Sequence, residues 1–304
     1  MSLFSKAVVA ATQNPVIEKV VTGTDPGRSL AHRFVAGDSL EQAADAAAGL
    51  NGKGMAVSLD LLGEEVHDAA TALSATEGYL AAVERIAAAG LDANISIKLT
   101  QLGLSFDVGL ASQALDRLAV RAAEVGTTVT VDMEDSRFTG VTVDLYADAQ
   151  ARHGNLGLCV QAYLKRTPAD LERLIPLGGH IRLCKGAYVE SDEVAYTEKD
   201  EVDGAYARLL EQLMAADNVK PCVATHDDRL INLATQLAGS RNGPWEFQML
   251  YGVRPNLHEQ LVGEGRPVRI YVPYGSEWYA YLTRRLAERP ANTVFFLRAL
   301  LGKD

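Results

Sequence analysis

The stretch that decides the fold runs from Asn94 to Asp132, NISIKLTQLGLSFDVGLASQALDRLAVRAAEVGTTVTVD. It opens on an isoleucine-rich run, Asn94–Leu99, and closes on a β-branched one, Thr127–Val131. Between them Leu115, Leu118, Ala119 and Ala122 recur at the spacing of one helical face. A strand, a helix and a second strand in that order imply parallel strands joined by a crossover. The same unit recurs on both sides. Further strands are expected at Met55–Leu59, Gly157–Gln161, His180–Leu183, Lys220–Ala224, Trp245–Met249 and Val268–Val272, which makes eight. Leu80, Val83, Ile86 and Ala87 mark another of the intervening helices. Eight such units fit a closed (β/α)8 barrel, an α/β fold, better than an open doubly wound sheet. No G-x-G-x-x-G joins a strand to a helix, which counts against a dinucleotide-binding sheet.

Upstream of the first strand, residues 1–54 read as a helical segment packing on the barrel. Residues 55–304 read as the barrel itself, with the whole chain a single domain. Ser39 is placed to cap a helix and Gln42, three residues on, to complete a capping box; Gly49, Gly52 and Gly54 end it. The longest irregular stretch, Gly186 to about Asp203, is rich in acidic residues and is a candidate lid over the barrel mouth.

Composition removes several classes of function. The net charge is −10, so neither nucleic acid nor an anionic membrane is an expected partner, since both are bound by clustered Lys and Arg. Cys159, Cys184 and Cys222 form no CxxC pair and lie in apolar runs. They are expected as free, small hydrophobes, without a disulfide framework or a metal site. Lys6 and the short apolar run to Gln13 fall short of a signal peptide, and no uncharged run approaches the roughly 20 residues of a membrane span. A cytoplasmic location is expected.

Sites on such barrels lie at the C-terminal strand ends. Those ends carry Asp60, Lys98, Asp132 with Glu134 and Asp135, Gln161, Arg182 with Lys185, Thr225-His226-Asp227, Gln248, and Arg269 with Tyr271. Any one of them has a structural reading: Asp132 could cap the next loop and His226 a helix. Together they point to a polar site in which charges balance one another or a ligand. On the last helix Tyr281, Arg284, Arg285 and Glu288 share one face. Two adjacent guanidiniums make a fork for a carboxylate or phosphate. The alternative at this point is a solvated face with an Arg284–Glu288 pair.

Read together, the motifs match a known family. They are Asp60-Leu61-Leu62-Gly63-Glu64, Ile97-Lys98-Leu99, Val131-Asp132-Met133-Glu134-Asp135 and Val160-Gln161-Ala162-Tyr163-Leu164. They continue with Arg182-Leu183-Cys184-Lys185-Gly186-Ala187-Tyr188, Ala224-Thr225-His226 and Phe247-Gln248-Met249-Leu250, and end with Tyr281-Leu282-Thr283-Arg284-Arg285-Leu286 before Ala291-Asn292-Thr293. In this order the chain resembles the proline dehydrogenases, in their short, single-activity bacterial form.

The resemblance implies a distorted barrel holding non-covalent FAD. It implies oxidation of L-proline to Δ1-pyrroline-5-carboxylate, the first step of proline catabolism to glutamate, with hydride passing from the ring carbon beside nitrogen to flavin N5. Arg284 and Arg285 would bind the proline carboxylate with help from Lys98. Tyr188, Leu250, Tyr271 and Tyr281 would wall the ring, and Glu288 would take the ammonium. Arg182 would sit beside flavin N5, with Asp132 a buried catalytic acid near it. Met133, Gln161, Lys185, Gly186, Thr225 and His226 would hold FAD. Glu64 matches a carboxylate that gates the site by pairing with Arg284, so Glu64→Ala is expected to raise KM. Electrons would pass to a quinone, with at most peripheral membrane contact, and a separate pyrroline-5-carboxylate dehydrogenase would take the product.

Two rivals stay open on the residues alone. One is a class I aldolase-like lyase with Lys98 as Schiff base and the arginine pair on a phosphate. The other is a small-carboxylate binding protein on a barrel that has lost catalysis.

Overall fold

The computed structural model describes residue 22 and residues 25–288. The remainder of the expected N-terminal helical segment and the Ala291-Asn292-Thr293 motif lie outside the described residues. So does the side chain of Glu288.

Among the described residues two helices, α1 (Asp25–Ala31) and α2 (Leu40–Asn51), precede the first strand. The expected capping box starts α2: Ser39 accepts from the Gln42 N–H, and the Gln42 side chain accepts from the Ser39 N–H. Then come β1 (Ala56–Leu61), α3 (Ala69–Ala89), β2 (Ala93–Ile97), α4 (Val108–Glu124), β3 (Val129–Val131) and α5 (Ser136–His153). They are followed by β4 (Leu156–Gln161), α6 (Thr167–Leu174), β5 (His180–Cys184), α7 (Lys199–Ala215), β6 (Lys220–Ala224) and α8 (Asp228–Ala238). The described residues end with β7 (Glu246–Leu250), α9 (Pro255–Gly263), β8 (Val268–Tyr274) and α10 (Tyr279–Glu288).

Each strand pairs in parallel with the next, and β8 returns to β1 with Ala56 opposite Arg269. The sheet is therefore a closed barrel, and the open-sheet alternative is excluded. The acidic stretch after β5 is shorter than expected, because α7 begins at Lys199 and takes its last residues into a helix. One helical face is also corrected. On α3 the barrel is covered by Tyr79, Ala82, Val83 and Ile86, while Leu80 is half-buried and Ala87 exposed. Alanines dominate that helix, so the bulkier, fully buried Tyr79 sets which side turns inward.

Helix starts at the barrel mouth are capped by carboxylates: Asp68 before α3, Asp107 before α4, Asp135 before α5 and Asp227 before α8 each accept from a first-turn N–H. The caps satisfy orphan donors and complement the helix dipole. They hold each βα loop where its functional side chain is needed. Among the described residues no helix is long and apolar enough to cross a membrane.

Alternation along the strands turns every second side chain into the barrel. Its floor is a polar chain: Ser58 donates to Asn94 Oδ1 at 2.6 Å, the Asn94 amide donates to Thr130 at 3.1 Å, and Thr130 meets His180 Nε2 at 2.7 Å. Burial pushes the His180 imidazole down to about 3, so the ring is neutral near pH 7. The ring fills the space above Gly157, where a Cβ would lie 2.0 Å from His180 Nε2. Gly157→Ala should destabilise the barrel by about 1–3 kcal/mol through this clash, measured by urea unfolding. Combining it with His180→Ala should cost less than the sum of the single changes; strict additivity would refute the contact.

Candidate active site

Five strands deliver side chains to one point at the barrel mouth. Asp60 comes from β1, Lys98 follows β2, Asp132 follows β3, Arg182 comes from β5 and Tyr271 from β8. Each occupies the inward phase of its strand. Asp132 is the hub. One carboxylate oxygen accepts from Arg182 Nη1 at 2.5 Å and from Ser96 at 2.9 Å; the other accepts from the Tyr271 hydroxyl at 2.8 Å. Lys98 Nζ lies 2.8 Å from Asp60 and 3.7 Å from Asp132. The Arg182 guanidinium stands 5.1 Å from the centre of the Tyr271 ring. Burying isolated charges would cost several kcal/mol each; here two carboxylates face two cations. Burial by itself would lower the Lys98 pKa, but the Asp60 and Asp132 carboxylates reverse that and hold the ammonium charged.

A polar column braces Arg182 from below. Its Nε donates to Gln248 Oε1 at 2.5 Å, and Gln248 Nε2 donates to Glu246 at 2.8 Å. Glu246 in turn accepts from Lys220 at 2.6 Å and Arg269 at 2.7 Å. Burial raises the Glu246 carboxyl, but these two cations outweigh it and hold the group down to about 2.

The arginines of α10 divide. Arg284 donates both Nη atoms to the Glu64 carboxylate, Nη1 at 3.0 Å, and its guanidinium lies 5.9 Å from the Tyr188 ring. Arg284 is therefore not on a solvated face: it is only partly exposed and has a partner in the β1–α3 loop, while the Arg284–Glu288 pair lies outside the described residues. Arg285 is buried, 5.2 Å from the Tyr281 ring. Leu282 anchors the helix by packing with Phe34, Val35, Leu62 and Trp278. The Glu64 loop is pinned further by Glu65. Its N–H donates to Thr100 at 3.2 Å and its carboxylate meets Arg137 at 2.7 Å, with Glu65 held at φ 44°. That left-handed backbone is costly for a non-glycine residue and persists only under such constraint.

The residues expected to hold a cofactor form the opposite side of the mouth. Gln161 is buried and bridges the Glu134 carbonyl at 2.7 Å to the Ala187 N–H at 3.2 Å. Gly186 takes φ 132°, and a Cβ there would strike the Tyr163 ring at 2.3 Å. Lys185 is gripped by Asp203 at 2.5 Å and Asp227 at 2.9 Å. Thr225 accepts from the Asp227 N–H at 3.1 Å, and His226 Nε2 accepts from the Leu250 N–H at 3.1 Å, which ties this corner to the half-buried Leu250. Met133 is buried beneath.

Several participants escaped the sequence reading. Asp60 was visible at a strand end, but nothing marked it as the partner of Lys98. Asp203 sits one helix turn inside α7, with no local signal of its role on Lys185. Glu134 stood in a quoted motif, yet only the fold buries it, with both oxygens accepting from Thr100. Burial pushes its carboxyl up to about 7, against the hydrogen bonds from Thr100.

The proline dehydrogenase family profile matches residues 43–298. Proline dehydrogenase from Deinococcus radiodurans is 38% identical over 309 residues, covering 98% of each chain. Proline dehydrogenase 2 from Bacillus subtilis is 37% identical over 279 residues, covering 91% of this chain and 92% of that one. Among solved structures, PutA from Bdellovibrio bacteriovorus, inactivated by N-propargylglycine, superposes with a TM-score of 0.80 at 24% identity over 86% of this chain. A variant of PutA from Bradyrhizobium japonicum gives 0.76 at 28% identity over 90%. The chain spans only 33% and 32% of those two longer proteins, against nine-tenths or more of the two curated relatives. With the profile covering most of the barrel and the relatives matching nearly end to end, the chain belongs to the proline dehydrogenase family, enzymes that oxidise proline in its catabolism.

Proposed function

We propose that the chain oxidises L-proline to Δ1-pyrroline-5-carboxylate with FAD as the bound oxidant, passes the electrons to a quinone, and hands its product to a separate pyrroline-5-carboxylate dehydrogenase. The observation that carries this reading is the charge arrangement of the mouth. A paired Asp132–Arg182–Tyr271–Lys98–Asp60 cluster, with Asp60, Lys98 and Arg182 buried and Asp132 and Tyr271 half-buried, lies below, with arginines of α10 above. Proline offers one carboxylate, one ammonium and an apolar ring. Arg284 and Arg285 take the carboxylate, and the aromatic walls of Tyr188, Tyr271 and Tyr281 take the ring. Fixing both ends sets the reacting carbon in place, which is where proximity lowers a barrier.

The residues present fit a flavin. Arg182 Nη2 is buried with no hydrogen-bond partner, an expensive state that an acceptor on the cofactor would relieve. Gln161, Lys185, Gly186, Thr225 and His226 line the adjoining side, with Met133 contributing backbone. FAD supplies the hydride acceptor when bound. The chain's own contribution is to hold positive charge from Arg182 toward that acceptor, to orient proline, and to keep water out behind the Glu64–Arg284 pair.

The aldolase-like reading fails on Lys98. A Schiff-base lysine needs a neutral amine, whereas Asp60 and Asp132 keep this one charged.

Purified protein should carry a flavin absorbance that bleaches on anaerobic addition of proline; a colourless protein, or one unchanged by proline, rejects the reading. Glu64→Ala should raise KM for proline by about tenfold, since losing one ion pair that positions Arg284 costs on the order of 1 kcal/mol, and an unchanged KM removes the gate. Proline reacts as the free amine, so kcat/KM should climb toward alkaline pH; a flat profile contradicts this. Glu134 gives a separate test. Its folded pKa of about 7 lies above the ordinary 4.5. Folding therefore favours its neutral form, and its ionisation removes stability as pH rises through that window. Glu134→Gln should gain about 1–3 kcal/mol relative to wild type between about pH 5 and pH 8, read from urea midpoints; a constant difference across that range overturns the assignment.

A further inference from the structure

We propose that Cys159 and Cys184 together form a dithiol site in the barrel mouth that captures trivalent arsenicals. Cys159 shares its strand face with Gly157 and Gln161, and Cys184 shares its own with His180 and Arg182, so both sulfurs point into the barrel. They lie 3.5 Å apart, with the Cys159 thiol donating to the Cys184 sulfur. Cys184 is half-buried at the mouth and Cys159 is buried behind it.

Magnitudes decide what such a pair does. In the strand register Cys159 stands opposite Arg182 and Cys184 opposite Gln161, so the cysteines are diagonal neighbours. Diagonal Cα atoms on a sheet stand roughly 7–8 Å apart, beyond the about 4.4–6.8 Å that a disulfide spans. Oxidation to a disulfide would also pull the sulfurs in to about 2.05 Å. A single soft atom bonded to both at about 2.3 Å, pyramidal because it keeps a lone pair, with an S–X–S angle of roughly 100°, holds them about 3.5 Å apart. The 3.5 Å observed is close to that, so a bridging thiophile enters with little movement of the strands.

The surroundings choose the thiophile. Among the described residues no group of three or more His, Cys, Asp or Glu is placed to hold a metal, and the Arg182 guanidinium beside the pair repels a metal cation. A neutral arsenic(III) centre needs only two thiols and carries no charge. The thiol hydrogen bond from Cys159 and the charge of Arg182 both favour the Cys184 thiolate, although burial opposes them. Cys184 therefore attacks first and Cys159 closes the ring. Two As–S bonds form, the arsenic–oxygen bond breaks, and the oxygen leaves as water with both thiol protons; no atom changes oxidation state. Cys222 is a built-in control. It is buried elsewhere in the barrel with Glu246, and burial pushes its thiol up.

The bridged arsenic would stand between Gln161 and Arg182, on the side assigned above to the flavin, so capture should abolish proline oxidation; that consequence alone rests on the proposed function. The binding itself is read without activity. Reduced native protein is titrated with phenylarsine oxide and followed by intact mass and free-thiol count. Wild type should take one equivalent, with accessible plus buried thiols after denaturation falling from three to one, and an excess of a small dithiol should remove it. Cys159→Ser and Cys184→Ser should each weaken capture by about a hundredfold, the loss expected when a chelate becomes a single attachment; Cys159→Ala and Cys184→Ala repeat the test with an apolar replacement. Cys222→Ser should bind as wild type does. Tight capture that survives loss of Cys184, or native wild type that takes none at concentrations that modify the urea-unfolded chain, overturns the proposal.

Discussion

The structure depends on the buried pairing of Asp132 with Arg182. Each is the inward residue of a different strand, and each would be intolerable alone in the barrel. Asp132 gathers Ser96 and Tyr271, and Lys98 leans toward it from Asp60. Arg182 is steadied from beneath by Gln248 and Glu246. The barrel therefore has a charged axis running from its mouth to Lys220 and Arg269 near its floor, instead of a purely aliphatic filling. Such a network is rigid because Asp132, Arg182, Gln248 and Glu246 are each fixed by two or more others, although Asp60 Oδ2 is left without a hydrogen bond. One nitrogen is left over, Arg182 Nη2, and it is the natural point for a ligand to complete the set.

The second constraint is that α10 is not part of the repeating barrel. It is held by an apolar patch with residues from the N-terminal segment and the first βα loop, including Phe34, Val35 and Leu62. That arrangement hangs the two arginines over the mouth without tying them to a strand. The Glu64–Arg284 pair then links the overhanging helix to the β1–α3 loop. Glu64 and Arg284 are only partly buried, and the loop is tied down at Thr100 and Arg137 through Glu65. A contact of that kind is able to break and re-form while the core beneath it stays in place.

The two halves of the mouth carry different chemistry. The side formed by Asp60, Lys98, Tyr271 and α10 is rich in paired charge and aromatic surface, suited to a small zwitterion with an apolar ring. The side formed by Gln161, Lys185, Gly186, Thr225 and His226 is polar and built largely from strand ends and turns, suited to an extended cofactor. The proposed function assigns the first side to proline and the second to FAD, and the Cys159–Cys184 pair lies on the second, beside Gln161 and Arg182.

The barrel itself was legible in the sequence, because period-2 and period-3.6 patterning are local properties and eight repeats of them leave few closed arrangements. The strand spans found lie within two residues of those read from the pattern. The list of polar strand ends was legible for the same reason: alternation says which residues face inward. Pairing was not. Nothing near Lys98 in the chain indicates Asp60, 38 positions away, and nothing near Arg284 indicates Glu64, 220 positions away; the motif resemblance supplied the second and not the first. Burial was not legible either, so the acidic-looking Glu134 and the helical Asp203 took their character only from what packs around them. The sequence by itself determined the repeat, the inward phase of each strand and the identity of the polar groups. The tertiary structure decided which charges meet, because Coulomb energy and desolvation depend on distance and burial through space, and neither is encoded in separation along the chain.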